Sequence, residues 1–449
     1  MKSRLLTAAL AGCALAAVGT GPVHAVSDQL WLDVPSTTVL PSDGTPERTL
    51  TVLVTHDNTQ TEVAAGRLTV DAGEIASFAR VSWPTNCVPE SADKAVCDFP
   101  GMPAGTDGVA AARLGLSALA DADLGASGSV RYTAAAGELT SFPAETMVTL
   151  GDGPDLGLSQ AEFQRDLRPG TNTRVSATVG NNGNRTVERT LLWLNASYGL
   201  GLRERHSNCE YAEHATGTSA VCVLDEAVAP GELYGLTTEL RVGRKALYER
   251  FDHSVLPYSD QALEEAHGDR TWTRGTGAEL DLRPAPARRA AGEDDLDLSD
   301  NGRIVILDAR NTADLKLTGS RVRGAVGDTV TARITVHNRG PAWVASLGAG
   351  APVAVVRFRA PEGTTVVETP EDCWSLPPSE EGPSVTTYFC WTPIYLHDKA
   401  SYAMEVRLRI DEVVRGARTT VETLDDEAEL PISGFDPNLR NNRAQIVVN

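Results

Sequence analysis

Short runs in which apolar and polar residues alternate recur along the chain, and turns rich in glycine, proline and asparagine separate them. A period of two is typical of β-strands that have one face in a core. The clearest set begins with Leu315 and Leu317, continues after the turn Gly327-Asp328 through 329–336, and closes with the apolar run 444–448. The pattern therefore predicts an all-β protein.

This pattern occurs about three times, and a chain of 449 residues is too long for one β-sandwich core. The turn at Asn338-Arg339-Gly340 has a counterpart at Asn181-Asn182-Gly183. The predicted division is a signal peptide at 1–25 and sandwiches at 26–153, 154–308 and 309–449, with an irregular insertion in the second at about 243–300.

Residues 1–25 have the features of an export signal. Lys2 and Arg4 precede an apolar stretch, and Ala25 ends a small-residue cleavage site. The alternative for the same segment is a lipobox in which Cys13 is acylated and anchors the chain to a membrane. The first interpretation predicts a secreted or cell-surface-associated protein, and the second predicts a lipoprotein.

Six cysteines follow the leader as three close pairs, one in each predicted sandwich. An even number of cysteines in an exported chain is typical of structural disulfides, and no C-x-x-C pair suggests a metal site. The predicted disulfides are Cys87–Cys97, Cys209–Cys222 and Cys373–Cys390.

The third sandwich combines a D-L-x-L strand from Asp314, a strand that ends in N-x-G at Asn338, a central cysteine pair, and a D-x-N-x-x-N-N motif from Asp436. This combination resembles the immunoglobulin-like repeats of bacterial surface proteins, including the CARDB-like cell-adhesion group. The resemblance is partial in the second sandwich and weak in the first. It implies a tandem array of about three immunoglobulin-like β-sandwich domains and an exported location, while the ligands of such repeats are mostly undefined.

The chain carries a formal net charge of −20. Such an acidic surface argues against a nucleic-acid partner and against an anionic membrane, because like charges repel. A membrane contact is expected only through lipidation at Cys13. Since no nucleophile elbow or H-E-x-x-H motif is present either, the sequence predicts a protein that is not an enzyme.

The sequence predicts no cofactor, and two groups of oxygen-bearing side chains leave Ca²⁺ binding as an alternative. Their spacing departs from an EF-hand loop, and the alternative is that they cap turns through bonds to their own backbone. The candidates are Asp295, Asp297, Asp300, Asp436, Asn438 and Asn441.

Aromatic residues are concentrated in the third sandwich, and two of them directly follow cysteines. Exposed aromatics often form binding patches, whereas the alternative is that they pack over the disulfide in the core. Phe389 and Trp391 are expected on one face of a strand, opposite to Cys390. The predicted ligand patch comprises Trp343, Trp374, Trp391 and Tyr395.

Together these patterns predict a secreted, surface-associated or extracellular binding and adhesion scaffold without enzymatic activity. Its partner would be an unknown protein or a cell-wall polysaccharide. The alternative is an extracellular carbohydrate-binding accessory protein or a hydrolase.

Overall fold

A computed structural model of the chain describes residues 29–43, 47–58, 61–106, 108–159, 161–285, 301–348, 350–378, 385–424 and 430–449. The leader with Cys13 and the calcium candidates Asp295, Asp297 and Asp300 lie outside these ranges. Their predicted roles therefore stay predictions.

The described chain forms three successive β-sandwiches with few helical residues. The first contains β1 Leu30–Asp33, β2 Thr37–Pro41, β3 Arg48–His56, β4 Gly66–Asp71, β5 Ala79–Ser82, β6 Cys87–Pro89, β7 Lys94–Phe99, β8 Gly108–Ala118, β9 Ser127–Ala136, β10 Leu139–Thr140 and β11 Ala144–Gly151. The second contains β12 Leu156–Leu158, β13 Gln164–Leu167, β14 Asn172–Asn181, β15 Thr190–Ser197, β16 Leu200–Leu202, β17 Cys209–His214, β18 Gly217–Leu224, β19 Leu233–Val242, β20 Tyr248–Pro257, helix α1 Asp260–His267, β21 Thr273–Arg274, β22 Arg283–Ala285 and β23 Gly302–Ala309. The third contains β24 Ala313–Thr318, β25 Arg321–Val322, β26 Thr329–Pro341, β27 Val344–Ala345, β28 Val355–Arg359, β29 Thr364–Glu368, β30 Cys373–Leu376, β31 Thr387–Trp391, β32 Tyr395–Leu396, β33 Ser401–Ile410, β34 Ala417–Leu424, helix α2 Ile432–Phe435 and β35 Arg443–Val448.

All three sandwiches share one strand order. Their first sheets run β1-β3-β8-β5, β12-β14-β19-β16 and β24-β26-β33-β29, which is the A-B-E-D order of an immunoglobulin sheet. Their second sheets contain the orders β2-β11-β9-β4-β7-β6, β13-β23-β20-β15-β18-β17 and β25-β35-β34-β28-β31-β30. In each second sheet the first strand pairs in parallel with the last strand of the sandwich. The predicted array of three immunoglobulin-like sandwiches is confirmed.

Each second sheet carries an additional hairpin, formed by β6–β7, β17–β18 and β30–β31. The cysteines face each other across these hairpins and form the three predicted disulfides, which close loops of 10, 13 and 17 residues. Chain-entropy estimates assign about 3 kcal/mol to loops of this length. Whereas the disulfide of antibody domains joins two sheets, each bond here fixes two adjacent strands of one sheet.

The core of each sandwich lies between its two sheets, and burial alternates along the strands. In β33, every second residue from Met404 to Ile410 is buried. The most deeply buried large side chains include Tyr132, Phe251 and Phe358, one in each sandwich. Burying a side chain of this size stabilises the fold by about 1.5–3 kcal/mol, so these residues anchor the three cores.

The prediction of an irregular insertion beginning at about residue 243 is wrong for its first part. Residues 248–257 form β20, a central strand that pairs with both β15 and β23. Its buried positions include Glu249 and His253 beside Phe251, so polar residues interrupt the apolar alternation. Burial lowers the pKa of His253 to about 4, which keeps its ring neutral in the sheet. A short helix, α1, follows this strand, and its N-cap Ser259 accepts a bond from an amide of the first turn.

A buried asparagine closes the N-x-G turn of the third sandwich. Asn338 Nδ2 donates to the carbonyl oxygens of Ala342 at 2.8 Å and Leu396 at 3.1 Å. Its Oδ1 accepts from the amide of Gly340 at 2.8 Å. The side chain thereby satisfies three backbone groups that are shielded from water.

The second sandwich repeats this bonding pattern at Asn181. Its Nδ2 donates to the carbonyl oxygens of Arg185 at 2.7 Å and Val228 at 2.9 Å, and its Oδ1 accepts from the amide of Gly183 at 3.0 Å. The repeat detected in the sequence is therefore a repeat of one buried polar contact.

Polar contacts join the first two sandwiches. Arg48 at the start of β3 forms a salt bridge with Asp155, whose side chain is fully buried. Nearby, Asn184 Nδ2 donates to Asp152 Oδ1 at 2.7 Å. Removing one partner of a buried ion pair leaves an uncompensated buried charge, which is strongly destabilising. These contacts therefore resist separation of the first sandwich from the second.

We expect Asn338→Ala to lower the free energy of unfolding of the third sandwich by about 2–4 kcal/mol, because three buried backbone groups lose their partner. Amide hydrogen exchange during urea unfolding localises the loss. Asn86→Ala is the matched control, since Asn86 also donates to two carbonyl oxygens but is exposed, so water can replace it. Equal losses for the two variants would contradict the structural role of Asn338.

Candidate functional site

The outer face of the second sheet in the third sandwich exposes a group of aromatic side chains. Cys373 and Cys390 are partners in the register of β30 and β31, and Trp374 is the partner of Phe389. Because side chains alternate along a strand, Trp374, Phe389 and Trp391 lie on the face opposite to the disulfide. Trp374 and Trp391 are each 48 % exposed.

The Trp374 and Phe389 rings stack on each other. Their centroids are 4.3 Å apart and their planes differ by 15°. Leu376, two residues further along β30, is also exposed. The three side chains form an apolar strip at the edge of the sheet, and Trp391 extends it along β31.

Arginines on the neighbouring strands share this face. Arg357 on β28 is the register partner of both Phe389 and Glu422, and Arg443 on β35 is a further partner of Glu422. Glu422 accepts from Arg357 Nε at 3.0 Å and forms a salt bridge of 3.1 Å with Arg443. Within the strands described for this face, Glu422 is the one carboxylate.

A cleft of about 400 Å³ lies beside this ion-pair cluster and is lined by Arg357, Arg359, Arg418 and Glu422, among others. It forms where the pairing of β28 with β34 stops after Arg357. Arg359 Nε donates to Thr387 Oγ1 at 3.2 Å, and Arg418 Nε is 3.4 Å from the carbonyl oxygen of Gly416. In the part of the chain that the structure describes, neither guanidinium forms a salt bridge.

These strands together form one surface, the Trp-Arg face. It comprises Trp374, Leu376, Phe389, Trp391, Arg357, Arg359, Arg418, Arg443 and Glu422.

The corresponding faces of the other two sandwiches differ. In the first, β4 and β7 place opposite charges side by side, as at Arg67 with Asp98 and at Asp71 with Lys94. In the second, helix α1 lies over the face, and Trp193 lines a cavity of about 620 Å³ beneath it. The third sandwich is therefore the copy whose aromatic outer face is open in the described structure.

The structure divides the predicted four-residue ligand patch. Trp374 and Trp391 share the Trp-Arg face, but Trp343 is only 1 % exposed and lies between the second and third sandwiches. Its ring stacks on His397, with centroids 5.7 Å apart, and Tyr395 lies 6.5 Å away. The placement of Trp343 in an open patch is thus corrected: it is an interface residue, and its partners are too distant in sequence to be inferred from spacing.

Glu249 of β20 receives the Trp343 indole at this junction. Trp343 Nε1 donates to its Oε1 at 2.7 Å, the amides of Gly199 and Leu247 donate at 3.0 Å, and the Ser197 hydroxyl donates to its Oε2. Burial raises the pKa of Glu249, and the four donors oppose that shift.

The core of the third sandwich extends across this junction. It includes Leu247 of the second sandwich, and Tyr248 packs against it. A salt bridge of 2.8 Å between Lys245 and Asp398 lies beside it. The two sandwiches therefore share apolar packing as well as the buried Glu249 contact.

The D-x-N-x-x-N-N motif holds the end of the third sandwich against its first strand. Asp436 accepts from the amides of Leu315 at 3.0 Å and Asn438 at 2.8 Å, and Asn441 Nδ2 donates to Asp314 Oδ1 at 2.7 Å. These contacts match the turn-capping alternative. Among the described residues no group of three or more His, Cys, Asp or Glu could hold a metal ion. The expectation of no cofactor stays a prediction, and calcium binding stays its alternative.

Comparison with known proteins adds no family. No protein-family model and no curated protein matches the chain. Similar solved structures include the immunoglobulin domains of Dpr2 in complex with DIP-Theta, with 7 % identity over 94 % of this chain and 99 % of that chain and a TM-score of 0.24. A three-domain immunoglobulin segment of titin has 8 % identity over 94 % of this chain and 99 % of that chain and a TM-score of 0.19. Another is described as a membrane-anchored protein from Corynebacterium diphtheriae, with 10 % identity over 93 % of this chain and 91 % of that chain and a TM-score of 0.16.

TM-scores of this size do not establish a shared architecture, so the immunoglobulin-like assignment rests on the strand order of the chain itself. The CARDB-like resemblance stays a prediction. No helix in the described part of the chain is long and apolar enough to cross a membrane.

We expect Trp343→Phe to loosen the junction, because the buried carboxylate of Glu249 then keeps only three donors. Hydrogen exchange of the Gly199 and Leu247 amides should rise about tenfold or more, which corresponds to about 1.4 kcal/mol. Trp272→Phe is the control, since it removes a similar indole bond, 2.9 Å to the His267 carbonyl oxygen, at a half-buried position. Unchanged exchange in the Trp343 variant would show that the bond does not hold the junction.

Proposed function

We propose that this chain is an exported binding protein without enzymatic activity, surface-associated or extracellular, and that the Trp-Arg face contacts its ligand. The observation that carries the proposal is the exposure of Trp374 and Trp391, 48 % each, on one face of a sheet. Tryptophan and arginine dominate the binding energy of many interfaces, and contiguous exposed apolar patches mark interaction sites.

The face is built to be rigid. Trp374 and Phe389 lie on the two strands joined by the Cys373–Cys390 disulfide, and each is held by the stacking of the other. A surface that is already ordered loses little side-chain entropy when a ligand binds, so more of the contact energy appears as affinity.

The remaining sandwiches serve as a scaffold. The salt bridge between Arg48 and Asp155 joins the first sandwich to the second, and the Trp343 bond to Glu249 joins the second to the third. Such contacts hold the Trp-Arg face at a fixed distance from the other end of the array. This arrangement suits a surface protein that displays a binding face away from its attachment point. An exported location is supported by the three disulfides and by the predicted leader, residues 1–25.

A carbohydrate-binding accessory protein is the second candidate. The exposed aromatic rings favour it, because they offer planar surfaces against which sugar rings can stack. This candidate needs the same face and differs in the ligand alone.

We expect the mature chain to be retained on at least one member of a panel of insoluble cell-wall and polysaccharide preparations. The double variant Trp374→Ala/Trp391→Ala should bind at least about tenfold more weakly, which is about 1.4 kcal/mol, because it removes the exposed aromatic anchors. Co-sedimentation at several protein concentrations gives the affinity.

Trp31→Ala is the matched control, since Trp31 is 47 % exposed but lies on the first sandwich. It should bind as the unaltered chain does. Equal losses in the control and the double variant would overturn the assignment of this face, and retention on no preparation would exclude an insoluble polysaccharide as its ligand.

A further inference from the structure

The Trp-Arg face has a charge opposite to that of the whole protein. The chain carries a net charge of −20, yet this face holds four arginines and one carboxylate. Glu422 compensates Arg357 and Arg443, while Arg359 and Arg418 line the neighbouring cleft and form no salt bridge with a described residue. An acidic protein that concentrates uncompensated arginine beside exposed tryptophan has a local field suited to an anion.

We propose that the Trp-Arg face binds an anionic polysaccharide, which rests on the proposed function and names its ligand class. Sugar rings stack on the aromatic rings of the apolar strip and its extension, which are Trp374, Phe389 and Trp391. The acidic groups of the polymer, whether carboxylate, sulfate or phosphate, bind Arg359 and Arg418 in the cleft.

The chemistry of the guanidinium group supports binding of the acidic groups of this polysaccharide. Arginine presents parallel N–H donors that match the two oxygens of a carboxylate or the oxygens of a phosphate or sulfate. The cleft of about 400 Å³ beside Arg359 and Arg418 is large enough for such a group. Glu422 fixes Arg357 between this cleft and the aromatic strip, so the two halves of the site have a fixed spacing.

The arrangement of the strands in the sheet supports binding of an extended polymer. Neighbouring strands lie about 4.8 Å apart, which is close to the length of one sugar unit along an extended chain. The aromatic strip and the arginine cleft lie on adjacent strands of one face of the sheet, from β30 through β31 and β28 to β34. An extended chain that crosses the strands meets both, whereas protein hot spots commonly fill a pocket, which the strip lacks.

The test uses the full mature chain and two matched pairs of soluble polymers: polygalacturonate with its methyl ester, and dextran sulfate with dextran. In each pair the backbone is the same and the charge differs. Poly-L-glutamate serves as an acidic polypeptide without sugar rings. Affinities are measured by calorimetry at low and physiological salt, since contacts between exposed charges weaken as salt increases.

We expect the two acidic polysaccharides to bind and their neutral partners to bind at least about tenfold more weakly. Arg359→Glu/Arg418→Glu and Trp374→Ala/Trp391→Ala should each lower the affinity for the acidic polymers at least about tenfold. Arg80→Glu/Arg113→Glu is the control, because it makes the same charge change at exposed positions of the first sandwich and should leave binding within about threefold. Circular dichroism and thermal unfolding establish that each variant is folded.

Three outcomes overturn the inference. If the neutral polymers bind as well and only the tryptophan variant fails, the proposed function stands and the anionic ligand is wrong. If poly-L-glutamate binds as tightly as the polysaccharides and without need of the tryptophans, the face recognises acidic protein instead. If no soluble polymer binds but an insoluble preparation retains the chain through Trp374 and Trp391, and retains the Arg359→Glu/Arg418→Glu variant equally, the ligand lacks the acidic group.

Discussion

The register of one hairpin determines what the third sandwich presents to its surroundings. Cys373 and Cys390 are bonded across β30 and β31, and Cys390 is buried in the core. Since side chains alternate, a slip of one residue would send Phe389 and Trp391 into the core and expose their neighbours. A covalent bond at the pairing position excludes that slip. The same bond that stabilises the hairpin thus also fixes the identity of the exposed face.

Three copies of one scaffold carry three different surfaces. The strand order, the extra hairpin and its disulfide are shared, whereas the outer face of the second sheet is charged in the first sandwich, covered by α1 in the second, and aromatic and basic in the third. Positions that face the core must pack, but positions on the outer face are constrained only by solvent and by partners. In such an array the shared core positions serve folding, and the variable outer face serves recognition.

The sequence predicts those features that depend on neighbours along the chain. Period-two patterns gave the strands, close cysteine spacing gave the disulfides, and alternation around Cys390 placed Phe389 and Trp391 on the opposite face. Features that depend on distant strands were not predictable. The role of Trp343 could not be predicted from its neighbours in sequence, because its partner Glu249 lies 94 positions earlier. The arginines form a cluster only when β28, β34 and β35 are paired. Strand β20 was not predicted because its buried polar residues, Glu249 and His253, break the hydrophobic period.

The shared core at the second junction also has a mechanical consequence. Leu247 and Tyr248 belong by sequence to the second sandwich but pack into the core of the third, and Glu249 binds an indole from the third. A pulling force applied through the array therefore meets apolar packing at this joint in addition to the covalent connection of the chain. The joint and the third core yield together, so the last two sandwiches bear load as a single unit. Under such a force the element under tension is the pair of sandwiches, and a fragment cut at residue 309 would lack part of its own core.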